Sequence, residues 1–203
     1  MTSLLVIARH GNTFPPGEPP RRIGAATDLP LVESGREQAA RLGMHFAAQG
    51  WRFGQVLASP LRRTRESAAL ILAAMDGGPA IESSDWLAEI DHGPDENREE
   101  AEVIARIGEA ALASWDAQGI APAGWRVDGP ARLAAWRGFF AQAPEGASLL
   151  VTSNGAARFG LIATAELSEQ AAALPSFKLA TGAYGVIAID HGAPRLVAWN
   201  RRP

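Results

Sequence analysis

Residues 4–13 read Leu4-Leu5-Val6-Ile7-Ala8-Arg9-His10-Gly11-Asn12-Thr13, an apolar run that ends abruptly in polar and charged residues. The apolar part is short, rich in branched residues and without polar alternation, which is typical of a parallel strand covered on both faces. Open α/β sheets bind ligands at the carboxyl ends of their strands, so His10 falls where a reactive group is expected. A histidine beside an arginine at a strand end can also be purely structural, and the rest of the chain has to decide between these interpretations.

The residues that follow this strand suit a phosphoryl group. Arg9 offers a planar fork of donors for phosphate oxygens, and His10 can attack phosphorus or transfer protons. Gly11 permits a close approach of the backbone, and Asn12 and Thr13 add short polar groups. We therefore predict an anion site with Arg9, His10 and Asn12 at its centre.

The composition excludes several classes of protein. The 203 residues fit a single domain of 1–203, and 19 basic against 22 acidic side chains leave a net charge of −3, which predicts no nucleic-acid partner. There is no cysteine, so disulfides, thiolate metal sites and a thiol nucleophile are excluded. The first apolar run is too short for a signal peptide and no apolar stretch reaches membrane-spanning length, so we expect a cytoplasmic protein without a membrane partner.

Two further apolar runs also end in polar turns. Residues 55–58 lead into Ser59-Pro60-Leu61-Arg62-Arg63-Thr64, where Ser59 and Pro60 are expected to cap and open a helix. Arg63 would then lie in the first helical turn, where free amides already favour anions. Residues 148–152 lead into Ser153-Asn154-Gly155, and residues 184–199 predict a terminal antiparallel hairpin.

Other local patterns predict helices and a general acid. Ser34 with Glu37, and Asn97 with Glu100, have the spacing of capping boxes, and the second precedes a helical repeat that runs to Trp115. Residues 93–130 are interpreted as a helical, lid-like insert. Glu89 stands among apolar residues that should raise its pKa and let it donate a proton.

Four residues are secondary candidates for the site. Arg21, Arg22 and Gly24 lie in a proline-rich segment, residues 14–30, which leaves the His10 strand directly and could cover the site. Adjacent arginines in such a loop are more often only solvated. Gly155 is the fourth, because it follows Asn154 in the third polar turn.

Four motifs together resemble the histidine phosphatase (phosphoglycerate mutase-like) superfamily in order and spacing. They are Arg9–Thr13, Asp28–Leu31 with Gly35 and Gln38-Ala39, Ser59–Thr64, and Leu87–Gly93. The resemblance implies a three-layer α/β/α domain with a mostly parallel central sheet. It also implies His10 as a nucleophile that forms a phosphohistidine, Arg9 and Arg63 as phosphate ligands, Glu89 as the acid, and neither a cofactor nor a metal.

One departure from the family pattern leaves three functions open. The family usually has a second histidine where this chain has Asn154, whose amide can still donate to a phosphoryl oxygen but carries no charge. The first reading is a metal-independent phosphomonoester hydrolase acting on a small phosphorylated substrate. The alternative is a noncatalytic, regulatory protein that binds a phospho-ligand or inorganic phosphate. A phosphoglycerate mutase is the third, and an oligomer is possible in each case.

Overall fold

The computed structural model describes residues 2–203, which contain eight β-strands and seven α-helices. The strands are β1 (Thr2–Arg9), β2 (Arg21–Arg22), β3 (Phe53–Ala58), β4 (Ile81–Ser83), β5 (Arg98–Glu99), β6 (Gly146–Thr152), β7 (Tyr184–Asp190) and β8 (Ala193–Arg201). The helices are α1 (Glu33–Ala48), α2 (Arg62–Ala73), α3 (Glu100–Ile107), α4 (Glu109–Gln118), α5 (Gly129–Gln142), α6 (Asn154–Leu161) and α7 (Ala165–Ala171).

Six of the strands form one mixed sheet in the order β4-β3-β6-β1-β7-β8. The first four run parallel, whereas β7 and β8 are antiparallel to their neighbours. Val6 in β1 lies between Leu149 of β6 and Val186 of β7. The mostly parallel sheet and the terminal hairpin are thus confirmed, and the carboxyl ends of β1, β3 and β6 meet at one edge.

Alternate residues of β1 face two separate hydrophobic clusters. Leu5 and Ile7 belong to the cluster that includes residues of α4 to α7, whereas Val6 and Ala8 pack with the apolar faces of α1 and α2. Helices therefore cover both faces of the sheet, which confirms the three-layer α/β/α prediction. Burying a branched side chain of this kind stabilises the fold by roughly 1.5–3 kcal/mol, and this explains why β1 has no polar alternation.

The predicted capping box at the start of α1 is wrong. The helix begins at Glu33, and Val32 rather than Ser34 takes the N-cap position. The Val32 amide donates to the Asn12 carbonyl oxygen at 3.1 Å, so contact with the loop after β1 sets the helix start. A Cβ on Gly11 would lie 2.1 Å from the Gly35 carbonyl oxygen, so Gly11 makes its close approach to α1.

The starts of α2 and α3 also differ from prediction. The α2 helix begins at Arg62 with Leu61 at the N-cap, and the Ser59 hydroxyl bonds to Thr64 Oγ1 at 2.7 Å and accepts from Leu61 N at 3.4 Å; Arg63 is still in the first turn. The capping box of α3 is formed by Glu99 and Glu102, while Asn97 lies outside the helix with a φ of +61°. The helix expected to run on to Trp115 is broken at Gly108, which has a φ of +81°.

Residues 93–130 contain β5, α3, α4 and the loop before α5. Glu100 and Trp115 of this stretch reach the cavity described below. That the stretch acts as a lid stays a prediction. Among residues 2–203, no helix combines the length and the apolar character that crossing a bilayer requires.

Candidate active site

The carboxyl ends of β1 and β6 open into one cavity of about 710 Å³. Eight of the ten predicted site residues line it: Arg9, His10, Asn12, Arg21, Arg22, Glu89, Asn154 and Gly155. The other two, Arg63 and Gly24, are buried behind its wall. The parallel arrangement of β1 and β6 thus brings side chains that are far apart in the chain into one place.

His10 is held as a neutral imidazole at the wall of the cavity. Only 3% of the residue is exposed, and Nδ1 lies 2.7 Å from the Gly11 carbonyl oxygen. Because a carbonyl can only accept, Nδ1 carries the proton and Nε2 keeps its lone pair. Burial, together with the charges of Arg9 and Arg63, lowers the pKa of His10 well below its usual value. A nucleophilic nitrogen is therefore available at neutral and mildly acidic pH.

The two arginines reach the site in different ways. Arg9 lines the cavity and donates through Nη1 to the Leu179 carbonyl oxygen at 2.8 Å, and burial lowers its pKa to about 10, so it stays charged at neutral pH. Arg63 is 0% exposed, and its two terminal nitrogens donate to the carbonyls of Thr27 and Gly24 at 2.7 and 3.0 Å. In this structure Arg63 acts on the site through its charge.

Glu89 is held by two backbone amides. Its carboxylate, in a residue that is 6% exposed, accepts from Gly155 N at 3.0 Å and from Ile90 N at 2.9 Å. Burial alone would raise the pKa of Glu89, but His92, these two amides and Arg63 outweigh it and hold the pKa below its usual value. The expectation of a raised pKa is therefore wrong, because hydrogen bonds to the ionised form oppose the apolar surroundings.

The amide of Asn154 has a defined orientation. The Leu179 backbone N–H donates to Asn154 Oδ1 at 2.8 Å, which identifies that atom as the oxygen. The amide nitrogen is therefore on the other side of the group, and the residue lines the cavity. Since Leu179 also accepts from Arg9, one backbone position aligns two predicted phosphate ligands.

Asn12 is tied more closely to the protein than a free ligand would be. Its Oδ1 accepts from the Thr181 hydroxyl at 2.5 Å, and its Nδ2 lies 3.4 Å from the Ser34 hydroxyl. Its backbone amide donates to the Gln38 side chain at 2.9 Å. These bonds fix the loop that carries His10, which gives Asn12 a positioning role beside any contact to a ligand.

The secondary candidates divide into two pairs. Arg21 and Arg22 line the outer cavity, each paired with a glutamate. Gly24 and Gly155 are sites of close packing: a Cβ on Gly24 would lie 2.3 Å from the Ile90 carbonyl oxygen, and one on Gly155 would lie 2.2 Å from Glu89 Oε1. The Gly155 amide contributes to the site through its bond to Glu89, whereas the Gly24 amide donates to Glu96.

Sequence reasoning missed several residues of the cavity. His92 lines it, is buried, and has Nδ1 3.5 Å from Glu96 Oε2. Lys178 and Thr181 also line it, because β7 runs antiparallel to β1 and so begins at the end of the sheet where β1 stops. Had the C-terminal hairpin been predicted to pair with β1, the segment just before β7, which contains Lys178 and Thr181, would have been placed at the site. Within residues 2–203, no group of three or more histidine, aspartate and glutamate side chains is placed to hold a metal ion.

The fold and the cavity define an α/β protein with a histidine, arginines and a buried carboxylate at the carboxyl edge of its sheet. The sequence profile of the histidine phosphatase superfamily (branch 1) matches residues 5–202. The chain belongs to this superfamily, as its motifs predicted.

Relatives within the superfamily include both mutases and phosphatases. A 2,3-bisphosphoglycerate-dependent phosphoglycerate mutase of Methylorubrum populi is 32% identical over 117 residues, which cover 57% of this chain and 54% of the mutase. The match thus spans about half the length of that relative. A mycobacterial glucosyl-3-phosphoglycerate phosphatase shares 23% identity with a TM-score of 0.76, over 98% of this chain and 99% of that one. A phosphoglycerate mutase from Bacillus anthracis shares 20% identity with a TM-score of 0.79, over 98% and 93%.

Proposed function

We propose that this protein is a phosphomonoester hydrolase that works through a phosphohistidine at His10 and without a metal ion. The observation that carries the proposal is the state of His10. Its Nδ1 is bound to the Gly11 carbonyl, and Nε2 is left unprotonated in a cavity that also contains Arg9 and Glu89. A neutral nitrogen beside a fixed cation is the arrangement that attack on a phosphoryl group requires.

The proposed reaction has two steps. The ester binds as its monoanion and passes its proton to the Glu89 carboxylate; His10 Nε2 then attacks phosphorus, the bond from phosphorus to the ester oxygen breaks, and the leaving oxygen takes that proton from Glu89. Water then attacks the phosphohistidine and gives a proton to the Glu89 carboxylate, and the P–N bond breaks to release inorganic phosphate. Arg9, Arg63 and Asn154 stabilise the charge on the phosphoryl oxygens, which explains why no metal is needed.

The pH dependence follows from the pKa shifts of His10 and Glu89. Because Glu89 is ionised in the free protein at neutral pH, the proton must arrive with the ester, whose second pKa is about 6. We expect kcat/KM for phenyl phosphate to fall about tenfold per pH unit above the ester's second pKa. Because the pKa of His10 is lowered, protonation of His10 should not reduce kcat/KM as the pH falls from about 6.5 to about 5. A profile measured from about pH 4.5 to 9 would contradict this if activity rose through a midpoint near the ordinary histidine pKa of about 6.5.

Asn154 specifically favours a second candidate function, which is binding of a phospho-ligand without turnover. Its amide donates to a phosphoryl oxygen but cannot carry the positive charge of a histidine. Loss of one donor to a charged transition state costs on the order of 10²–10³ in rate, and a weaker donor costs less. The proposal therefore expects slow turnover, whereas the second function expects none.

Hydrolysis of an aryl phosphate in the presence of a chelator separates these functions. We expect wild type to turn over and Asn154→His to be roughly tenfold faster, because a histidine Nδ1 can still accept from Leu179 N–H while Nε2–H, a stronger donor than an amide N–H, bonds to the phosphoryl oxygen. Asn154→Asp is the matched control: it keeps the acceptor for Leu179 but repels the phosphoryl group, and should be at least about 10²-fold slower than wild type. An inert wild type beside an active Asn154→His would support the binding protein instead.

A further inference from the structure

The cations of the outer cavity are already paired within the protein. Arg21 Nη2 lies 3.1 Å from Glu18 Oε1, and Arg22 Nη2 lies 2.5 Å from both carboxylate oxygens of Glu100. The third cation, Lys178, lies 2.8 Å from a carboxylate oxygen of Asp116. A ligand group that passes this outer cavity therefore meets three neutralised pairs rather than free positive charge.

Arg22 is the most constrained of these cations. Its side chain is 16% exposed, and its guanidinium lies 5.0 Å from the centre of the Trp125 ring. The pairing of β2 with β5 sets Arg22 opposite Arg98, two residues before Glu100 at the start of α3. Arg22 bonds to both Glu100 oxygens through Nη2, so an anion on a ligand that approached this guanidinium would also lie close to the Glu100 carboxylate, which would repel it.

Other groups near the outer cavity also leave little positive charge for a ligand. The Gly24 amide lies behind the cavity wall and donates to Glu96 Oε1 at 2.7 Å. The rest of the outer wall is largely apolar, and includes Phe14, Pro15, Pro16, Pro20 and Ile23. The charges left for a ligand are concentrated around His10, where Arg9 lines the cavity and the buried Arg63 adds its charge.

Resting on the proposed function, we propose that the outer cavity selects phosphomonoesters whose leaving group is uncharged and apolar, such as an aromatic alcohol. The Glu100–Arg22 pair is the specificity determinant, because it presents a carboxylate where a leaving group with its own carboxylate or second phosphate would need a cation. A carboxylate on the ester would have to share Arg22 with Glu100, and like charges placed this close destabilise the complex.

The experiment compares phenyl phosphate with 4-carboxyphenyl phosphate, which differ by one carboxylate. Wild type should prefer phenyl phosphate in kcat/KM by about fivefold or more, the scale of an exposed ion pair. Glu100→Gln, at a side chain that is 47% exposed, should raise kcat/KM for the carboxylated ester relative to phenyl phosphate by about fivefold. Glu109→Gln, exposed on α4 and away from the cavity, should leave the ratio at its wild-type value.

Failure of this inference is distinguishable from failure of the proposed function. If wild type hydrolyses neither ester, the hydrolase proposal fails, and the preference is then read from calorimetric binding of phenylphosphonate and 4-carboxyphenylphosphonate to wild type and Glu100→Gln. Stronger binding of phenylphosphonate than of 4-carboxyphenylphosphonate to wild type, with a smaller difference between the two affinities in Glu100→Gln, supports the inference. Equal affinities, no binding of either compound, or an unchanged ratio in Glu100→Gln overturns it.

Discussion

Replacing His10 by alanine is expected to lower kcat for phosphomonoester hydrolysis by about 10⁴-fold or more, the loss typical of removing a catalytic nucleophile. The reason is local, because among residues 2–203 only His10 combines a proton fixed on Nδ1 by the Gly11 carbonyl with an unprotonated Nε2 beside Arg9. The phosphorylated form should disappear with the activity. Quenching in alkali, which preserves a P–N bond, followed by peptide mass spectrometry, measures it directly.

The matched control for this prediction is His92→Ala. His92 is also buried and lines the same cavity, but its Nδ1 faces Glu96 at 3.5 Å. Phosphorylation of His10 should persist in this variant. A phosphoryl group found on His92, or turnover that survives in His10→Ala, would contradict the assignment of the nucleophile.

Replacing Glu89 by glutamine should slow hydrolysis by about 10²–10⁴-fold for an alkyl phosphate such as glycerol phosphate. An alkoxide is a poor leaving group without a proton, and glutamine cannot supply one at the position that Gly155 N and Ile90 N define. With 4-nitrophenyl phosphate, whose leaving group is stable as an anion, the loss should be much smaller. The decrease in kcat at saturating ester is measured for both compounds. A larger decrease for the alkyl ester indicates lost proton donation, whereas a general disturbance of the site would slow both esters equally.

Glu96→Gln provides the comparison for Glu89. Glu96 is another carboxylate nearby and is partly buried; its pKa is lowered to about 2, and it accepts from the Gly24 amide. Because the role of Glu96 is structural, its replacement should lower kcat by the same factor for both esters. If Glu89→Gln lowered kcat by the same factor for both esters, Glu89 would not be the acid.

The main features of the fold and site were readable from the sequence because they depend on local patterns. An apolar run that stops at a polar turn predicts a buried strand, and the carboxyl ends of parallel strands meet at one edge whatever the loops do. This reasoning is enough to place Arg9, His10 and Asn154 together. It also places Arg63 in the first turn of α2, although the helix start itself was predicted about two residues too early.

The helix starts could not be predicted in detail because distant contacts compete with local caps. Val32 replaces Ser34 as the N-cap of α1 because the Val32 amide meets the Asn12 carbonyl, a bond that no pattern within the helix signals. At α2 the competing contact is local, because the Ser59 hydroxyl bonds to Thr64 Oγ1, 5 residues further along the chain. A capping motif predicts the neighbourhood of a helix start, and tertiary packing then selects the residue.

By itself, the sequence determined the layers, the central strands, the family and the chemistry present at the site, since each follows from residue type and short-range order. Only the tertiary structure decided the orientation, the charge pairing and the pKa of those groups. The orientation of Asn154 depends on Leu179, 25 residues away, and the neutralisation of Arg22 depends on Glu100, 78 residues away. The pKa of Glu89 likewise depends on Gly155, 66 residues away. Hydrogen bonds and charges act through space over a few ångströms, so partners brought together by the fold set these properties.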